Sequence, residues 1–111
     1  MGKLNDYSGE LVPDLKLSDF SSDTLAQLLA LYARLYMALD GFWYLTIKER
    51  LGNQEALACD IGTWEKLCPY EMAKLTKLLN IQGNDVTALI KAMQVTPWFW
   101  NTKYDIEVED P

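Results

Sequence analysis

A chain of 111 residues, half of them hydrophobic, suffices for one small domain with a modest core. Its formal net charge of −6 argues against a nucleic-acid partner, whose phosphates call for a basic patch; the lysines and arginines here are scattered. The absence of histidine removes the commonest general base and metal ligand, and with them Ser-His and Cys-His pairs and ordinary catalytic zinc sites.

No cofactor, metal site or catalytic residue is therefore expected, and the balance leans away from an enzyme. Cys59 and Cys68 lie nine residues apart, about 900° on one helix, which puts them on opposite faces and out of disulfide reach. They are expected as buried or half-buried free thiols of a reducing cytoplasm. The polar start from Gly2 to Tyr7 lacks the apolar core of a signal peptide.

In chain order, residues 1–20 form an N-terminal arm, with Leu15 and Leu17 as its expected anchors. Ser21 or Ser22 caps the first helix, and Asp23 suits the positive end of its dipole. That helix spans about 23–51, with Leu25, Leu28, Leu29, Tyr32, Leu35, Tyr36, Leu39, Phe42, Trp43 and Ile47 at the helical period. Residues 25–47 are long enough to cross a bilayer. They carry Arg34 and Asp40, and such charges near a span's centre each cost about 2.5–3.5 kcal/mol on insertion scales. A buried bundle helix is the better reading, and no membrane partner is expected.

Gln27, Arg34, Gly41 and Lys48 recur every seven residues and mark the solvent stripe. Asp40 lies about 120° from Arg34, on the apolar side. A carboxylate there needs a partner, because burying it unpaired costs several kcal/mol or shifts its pKa. Tyr36 and Tyr44 flank it one turn either way, and their hydroxyls or the indoles of Trp43 or Trp64 are candidate donors. Asp40-Gly41 is also a turn dipeptide, so a helix break at this point remains open.

Gly52-Asn53 ends the first helix. The second carries Leu57, Ile61, Trp64, Cys68, Met72, Leu75 and Leu79 in one phase through Pro69. It is either one helix kinked at Pro69 or two shorter helices. Asn84 or Asp85 caps a third helix with Val86, Leu89, Ile90 and Met93 on one face, stopped by Thr96-Pro97. Trp98, Phe99 and Trp100 follow, then Tyr104, Ile106 and Val108 alternate with acids at the period of a strand.

Di-metal bundles pair inward Glu with Glu-x-x-His, which this chain lacks. An Asp40/Asp60 pair sharing a proton or a cation stands as a minor alternative to a structural network around Asp40. A third reading sets Asp40 in an aromatic-lined ligand pocket with Tyr36, Trp43, Tyr44 and Trp64. The cluster Trp98, Phe99, Trp100, Tyr104, Ile106 and Val108 either closes the bundle or forms an association surface.

The run Asp40-Gly41-Phe42-Trp43-Tyr44, with the segments 48–57 and 60–64, resembles a family of uncharacterised cytosolic proteins from anaerobic bacteria and archaea. So do Gly83-Asn84-Asp85-Val86, Ala92-Met93-Gln94 and Thr96-Pro97-Trp98, which extend the likeness over about 22–108. That family, a domain of unknown function, is distantly similar to L-2-amino-thiazoline-4-carboxylic acid hydrolase-like proteins. The resemblance implies that this chain corresponds to a helical N-terminal half, with 104–108 as the first strand of a β-containing half. It brings no established catalytic residues.

The expected fold is thus all-α: a bundle of three main helices over 21–100, the arm at 1–20 and an extended strand within 101–111. The expected function is a non-enzymatic interaction module that self-associates or docks to a partner protein. The alternative is a small-molecule-binding or hydrolase-like domain built on Asp40.

Overall fold

A computed structural model describes residues 3–109 and contains a short 3₁₀ turn and four helices. The helices are α1 (Ser22–Leu51), α2 (Asn53–Leu78), α3 (Val86–Gln94) and α4 (Pro97–Trp100). Residues 1, 2, 110 and 111 of the expected arm and tail lie outside the described residues. No described helix is long and apolar enough to cross a membrane.

Local chemistry sets the helix ends. Ser21 Oγ accepts the Thr24 N–H at 3.2 Å, and Asp85 Oδ1 accepts that of Ala88 at 2.9 Å, each satisfying a donor the helix cannot. Gly52 alone separates α1 from α2, at φ 93° and ψ 168°. Its N–H donates to the Lys48 carbonyl while its own carbonyl accepts from Ala56 N–H, so one residue closes one helix and opens the next. Such a backbone conformation is open essentially to glycine alone. The first helix does not break at Asp40-Gly41, and α2 continues through Pro69 as one helix.

The turn at Gly52 folds α1 and α2 into an antiparallel hairpin. Tyr36, Asp40 and Tyr44 ascend α1 as their partners Glu71, Trp64 and Asn53 descend α2. α3 packs on α2, and α4 bridges α3 and α1. The buried hydrophobic residues are all alanines: Ala33, Ala56, Ala88 and Ala92, with Ala56 at 0% exposure. No large side chain is fully buried among the described residues. Small residues bring the backbones close and leave the larger apolar groups at the edges of each contact.

The N-terminal arm folds back on the start of α1. Leu4 bridges to Phe20 in parallel fashion, and the Thr24 hydroxyl donates to the Asn5 carbonyl. Leu15 and Leu17, the expected anchors, are instead exposed; the bridge at Leu4 and the Tyr7–Phe20 ring contact hold the arm. At the other end, the extended strand expected here is not formed: 103–109 has no regular secondary structure. Its alternation finds no described edge to bond with, and a lone strand has no independent stability.

The molecule measures 53 × 51 × 25 Å, with a radius of gyration of 18.4 Å. A compact domain of this length has a radius near 13 Å. Its accessible surface is 9441 Å², whereas a folded 12.7 kDa monomer exposes about 6,200 Å². Much of that excess is apolar, and α1 carries a large share of it.

Candidate functional site

Asp40 sits at the centre of the hairpin. Trp64 Nε1 donates to its Oδ1 at 3.1 Å, which gives the carboxylate the indole partner that its place on the apolar side required. The tyrosines one turn away serve other acceptors. Tyr36 donates to Glu71 Oε2 at 3.2 Å, and Tyr44 donates to Asn53 Oδ1. A network along the hairpin is therefore present, but its three rungs are separate rather than converging on Asp40.

Asp40 and Asp60 are brought together. The Asp60 carboxyl is held above its ordinary range, first by sharing a hydrogen bond with Asp40, then by desolvation and by the Asp40 charge, against a smaller opposing pull from Trp64. Asp60 Oδ1 and Glu71 Oε1 are buried without a hydrogen-bond partner among the described residues. Burial, and then the charge of Glu71 and the bond to it, push the Tyr36 phenol well above its usual value. No group of three or more metal-ligating side chains occurs among the described residues.

Beside Asp40 opens a cleft of about 320 Å³, lined by Tyr36, Leu39, Asp40, Trp43, Thr63, Trp64 and Leu67. Four of the five expected pocket residues meet there; Tyr44 lies nearer the turn, bonded to Asn53. Leu39, Thr63 and Leu67 were not anticipated from the sequence. Leu39 belongs to the apolar period of α1 but was expected in the bundle core rather than at a cleft, and Thr63, one residue before Trp64, carries no periodic or chemical signal of its own.

A second surface runs along α1. Leu28, Tyr32, Leu35, Leu39 and Phe42 alternate steps of four and three residues, and all but the half-buried Leu28 are exposed, Leu39 and Phe42 at 69% each. Leu29, Leu31, Trp43 and Leu45 widen the stripe and are exposed as well. α2 shows the same mismatch, because Leu57, Ile61 and Cys68 on its apolar stripe face solvent. Cys59 and Cys68 are both free and exposed, not buried or half-buried as expected, because α1 meets only part of the α2 stripe, at Trp64 and beside Tyr36, and leaves the rest of α2 open.

The C-terminal aromatics are divided. Trp98 lies 5.0 Å from Trp64, ring to ring, Phe99 lies 4.5 Å from Tyr104, and Trp100 borders Ala26, Leu29 and Ala30 of α1. α4 thus closes one end of the hairpin, although Trp98 and Trp100 keep substantial exposure. Tyr104, Ile106 and Val108 remain exposed on the C-terminal tail.

The sequence pattern of DUF6125, a family of unknown function, matches residues 17–108. No curated protein and no solved structure matches the chain.

Proposed function

We propose that this chain, which belongs to the DUF6125 family of unknown function, is an association module whose α1 face packs against a second copy of itself. The observation that carries this reading is the uncovered apolar stripe from Leu28 to Phe42. A helix with so wide an apolar face is ordinarily an interior helix. Within one chain, α2 and α4 cover only part of it.

The area agrees with a second copy as the occupant. The surface beyond that of a compact monomer, roughly 3,000 Å², exceeds the roughly 1,000–2,500 Å² that each protomer gives to an obligate homodimer. None of the five stripe residues Leu28, Tyr32, Leu35, Leu39 and Phe42 is charged, and Arg34 and Asp40 lie outside the stripe, so two such stripes meet without burying a like-charge pair despite the net charge of −6 on each chain. A two-fold axis through this stripe would satisfy both copies with one patch. The exposed Trp98, Trp100, Tyr104, Ile106 and Val108 are read as a secondary part of the same association surface.

The exposed free thiols support a reducing, cytoplasmic setting. A prokaryotic source and a distant kinship with L-2-amino-thiazoline-4-carboxylic acid hydrolase-like proteins complete this reading. The cleft at Asp40 favours small-molecule binding as a second activity.

Sedimentation of the wild type beside Leu35→Glu and Phe42→Glu tests the module. Loss of an oligomer in both variants, with helical content unchanged, supports it. A wild-type chain that sediments as a monomer overturns it.

A further inference from the structure

We propose that the cleft between α1 and α2 binds an organic cation with N–H donors on an apolar body, a primary ammonium or a guanidinium, with Asp40 as its counter-charge. This gives the cleft reading a ligand class; because Leu39 and Trp43 line the cleft and also belong to the α1 stripe, the titration is run on Phe42→Glu as well as on the wild type.

Charge comes first. Asp40 is the sole charged residue lining the cleft, and neither lysine nor arginine lines it. The Trp64 N–H satisfies one oxygen of Asp40 but brings no positive charge. An anionic ligand would meet Asp40 with Asp60 close behind it, so a cation is the complementary class.

Donor and acceptor chemistry narrows this further. The Thr63 hydroxyl donates to the Cys59 carbonyl at 2.9 Å, leaving its oxygen free to accept. Tyr36 and Trp64 already spend their donors on Glu71 and Asp40. Asp40 and Thr63 therefore present acceptors, and a ligand that donates matches them. The rings of Tyr36, Trp43 and Trp64 border the same space. Aromatic faces attract cations, more strongly once the site is desolvated. A volume near 320 Å³ holds a group of about the size of a phenylalkylamine.

The carboxyl pair adds a signature. Asp40 beside Asp60 raises the Asp60 carboxyl above its ordinary range, first through the hydrogen bond between them and then, after desolvation, through its charge. Of the other titratable groups along this part of the hairpin, Tyr36, Glu71 and Cys68 supply no positive charge, and Lys74 borders the neighbouring cleft beside Tyr36 and Glu71, over the Tyr70 ring, without lining the Asp40 cleft. A cation bound at Asp40 offsets the part of the Asp60 shift which comes from the Asp40 charge, so binding releases protons within the pH range in which Asp60 titrates.

The test titrates the full chain with phenethylammonium and with the neutral isostere 2-phenylethanol, following the Trp64 indole N–H resonance. Saturable binding of the amine, about tenfold tighter than the alcohol, is expected. Asp40→Asn should remove that preference. Thr63→Trp, which fills the cleft from its exposed rim and leaves the Asp40–Trp64 bond in place, should abolish binding. Nα-acetylarginine amide forms a parallel arm. Saturation by phenethylammonium, with or without the arginine amide, assigns the cation to a free amine. Saturation by the arginine amide alone assigns it to a protein side chain. Equal affinity for the alcohol, unaltered binding in Thr63→Trp, or no binding of either cation overturns the proposal. Light scattering on the same samples keeps the two readings apart, because a monomer that binds the amine contradicts association alone.

Discussion

Asp40 on α1 accepts the indole N–H of Trp64 on α2 at 3.1 Å, while the tyrosines one turn to either side of Asp40 bond to Glu71 and Asn53. The hairpin is thus laced by three polar rungs at intervals of four residues along α1. The buried apolar residues of the hairpin itself are two alanines, Ala33 on α1 and Ala56 on α2. Few large side chains are buried in the hairpin, so these polar rungs take on much of the work of fixing its register.

Removing the central rung separates its parts. Asp40→Ala leaves the Trp64 N–H without its acceptor in a half-buried position, and a loss of about 1–2 kcal/mol is expected. Asp40→Asn keeps an acceptor and removes the like charge beside Asp60, so its melting temperature should stay close to wild type or rise above it. Thermal melts of both variants check this; an Asn variant as damaged as the Ala variant would show that the Asp40 charge itself is structural.

Asp60 makes stability depend on pH in an uncommon direction for a carboxyl. Its folded pKa is raised, so the folded state binds more protons than the unfolded state between the ordinary value of 3.8 and the raised one. The stabilisation from its proton is complete below 3.8 and is lost as pH rises through the raised value. Asp60→Asn, whose amide can donate to Asp40 at any pH, should flatten that decline. Denaturant midpoints measured across acidic to neutral pH read it directly.

At the alkaline end the same reasoning applies to Tyr36. Burial and the neighbouring Glu71 favour the neutral phenol, so its contribution is complete below the ordinary value of 10.0 and fades as pH climbs beyond it. Tyr36→Phe should be less stable than wild type at neutral pH through loss of the Glu71 bond. The gap between the two should narrow at strongly alkaline pH. A gap that stays constant there would place the effect in packing rather than in ionisation.

Gly52 tests the turn. An added Cβ meets no atom within 4 Å, so Gly52→Ala isolates the backbone cost of φ 93°. A destabilisation of about 1–3 kcal/mol is expected. A neutral result would show that the two helices meet through a different turn.

The helix boundaries were legible because their chemistry is local. Ser21, Asp85, Gly52 and Pro97 act within one turn of themselves, and the apolar phase ran unbroken past Asp40 and Pro69. Asp40 stood out for a local reason too, as a charge out of phase with Arg34. Its partner was legible only as one of four candidates, since choosing Trp64 over Tyr36, Tyr44 or Trp43 depends on the register of α2 against α1. The exposed stripe was the least legible feature. Leu35, Leu39 and Phe42 follow the same helical period as residues that face α2, and periodicity does not tell an intramolecular core from a surface waiting for another chain. The tail misled in the opposite sense: Tyr104, Ile106 and Val108 alternate like a strand, but pairing is a tertiary event that 103–109 does not achieve with any described residue.

The most direct measurement is the molar mass of the intact chain in solution, by size exclusion with light scattering over a micromolar dilution series. An α1 face that packs on a second copy gives a mass of at least twice 12.7 kDa, reduced to 12.7 kDa by Phe42→Glu. A wild-type chain that runs at 12.7 kDa at every concentration contradicts association through α1.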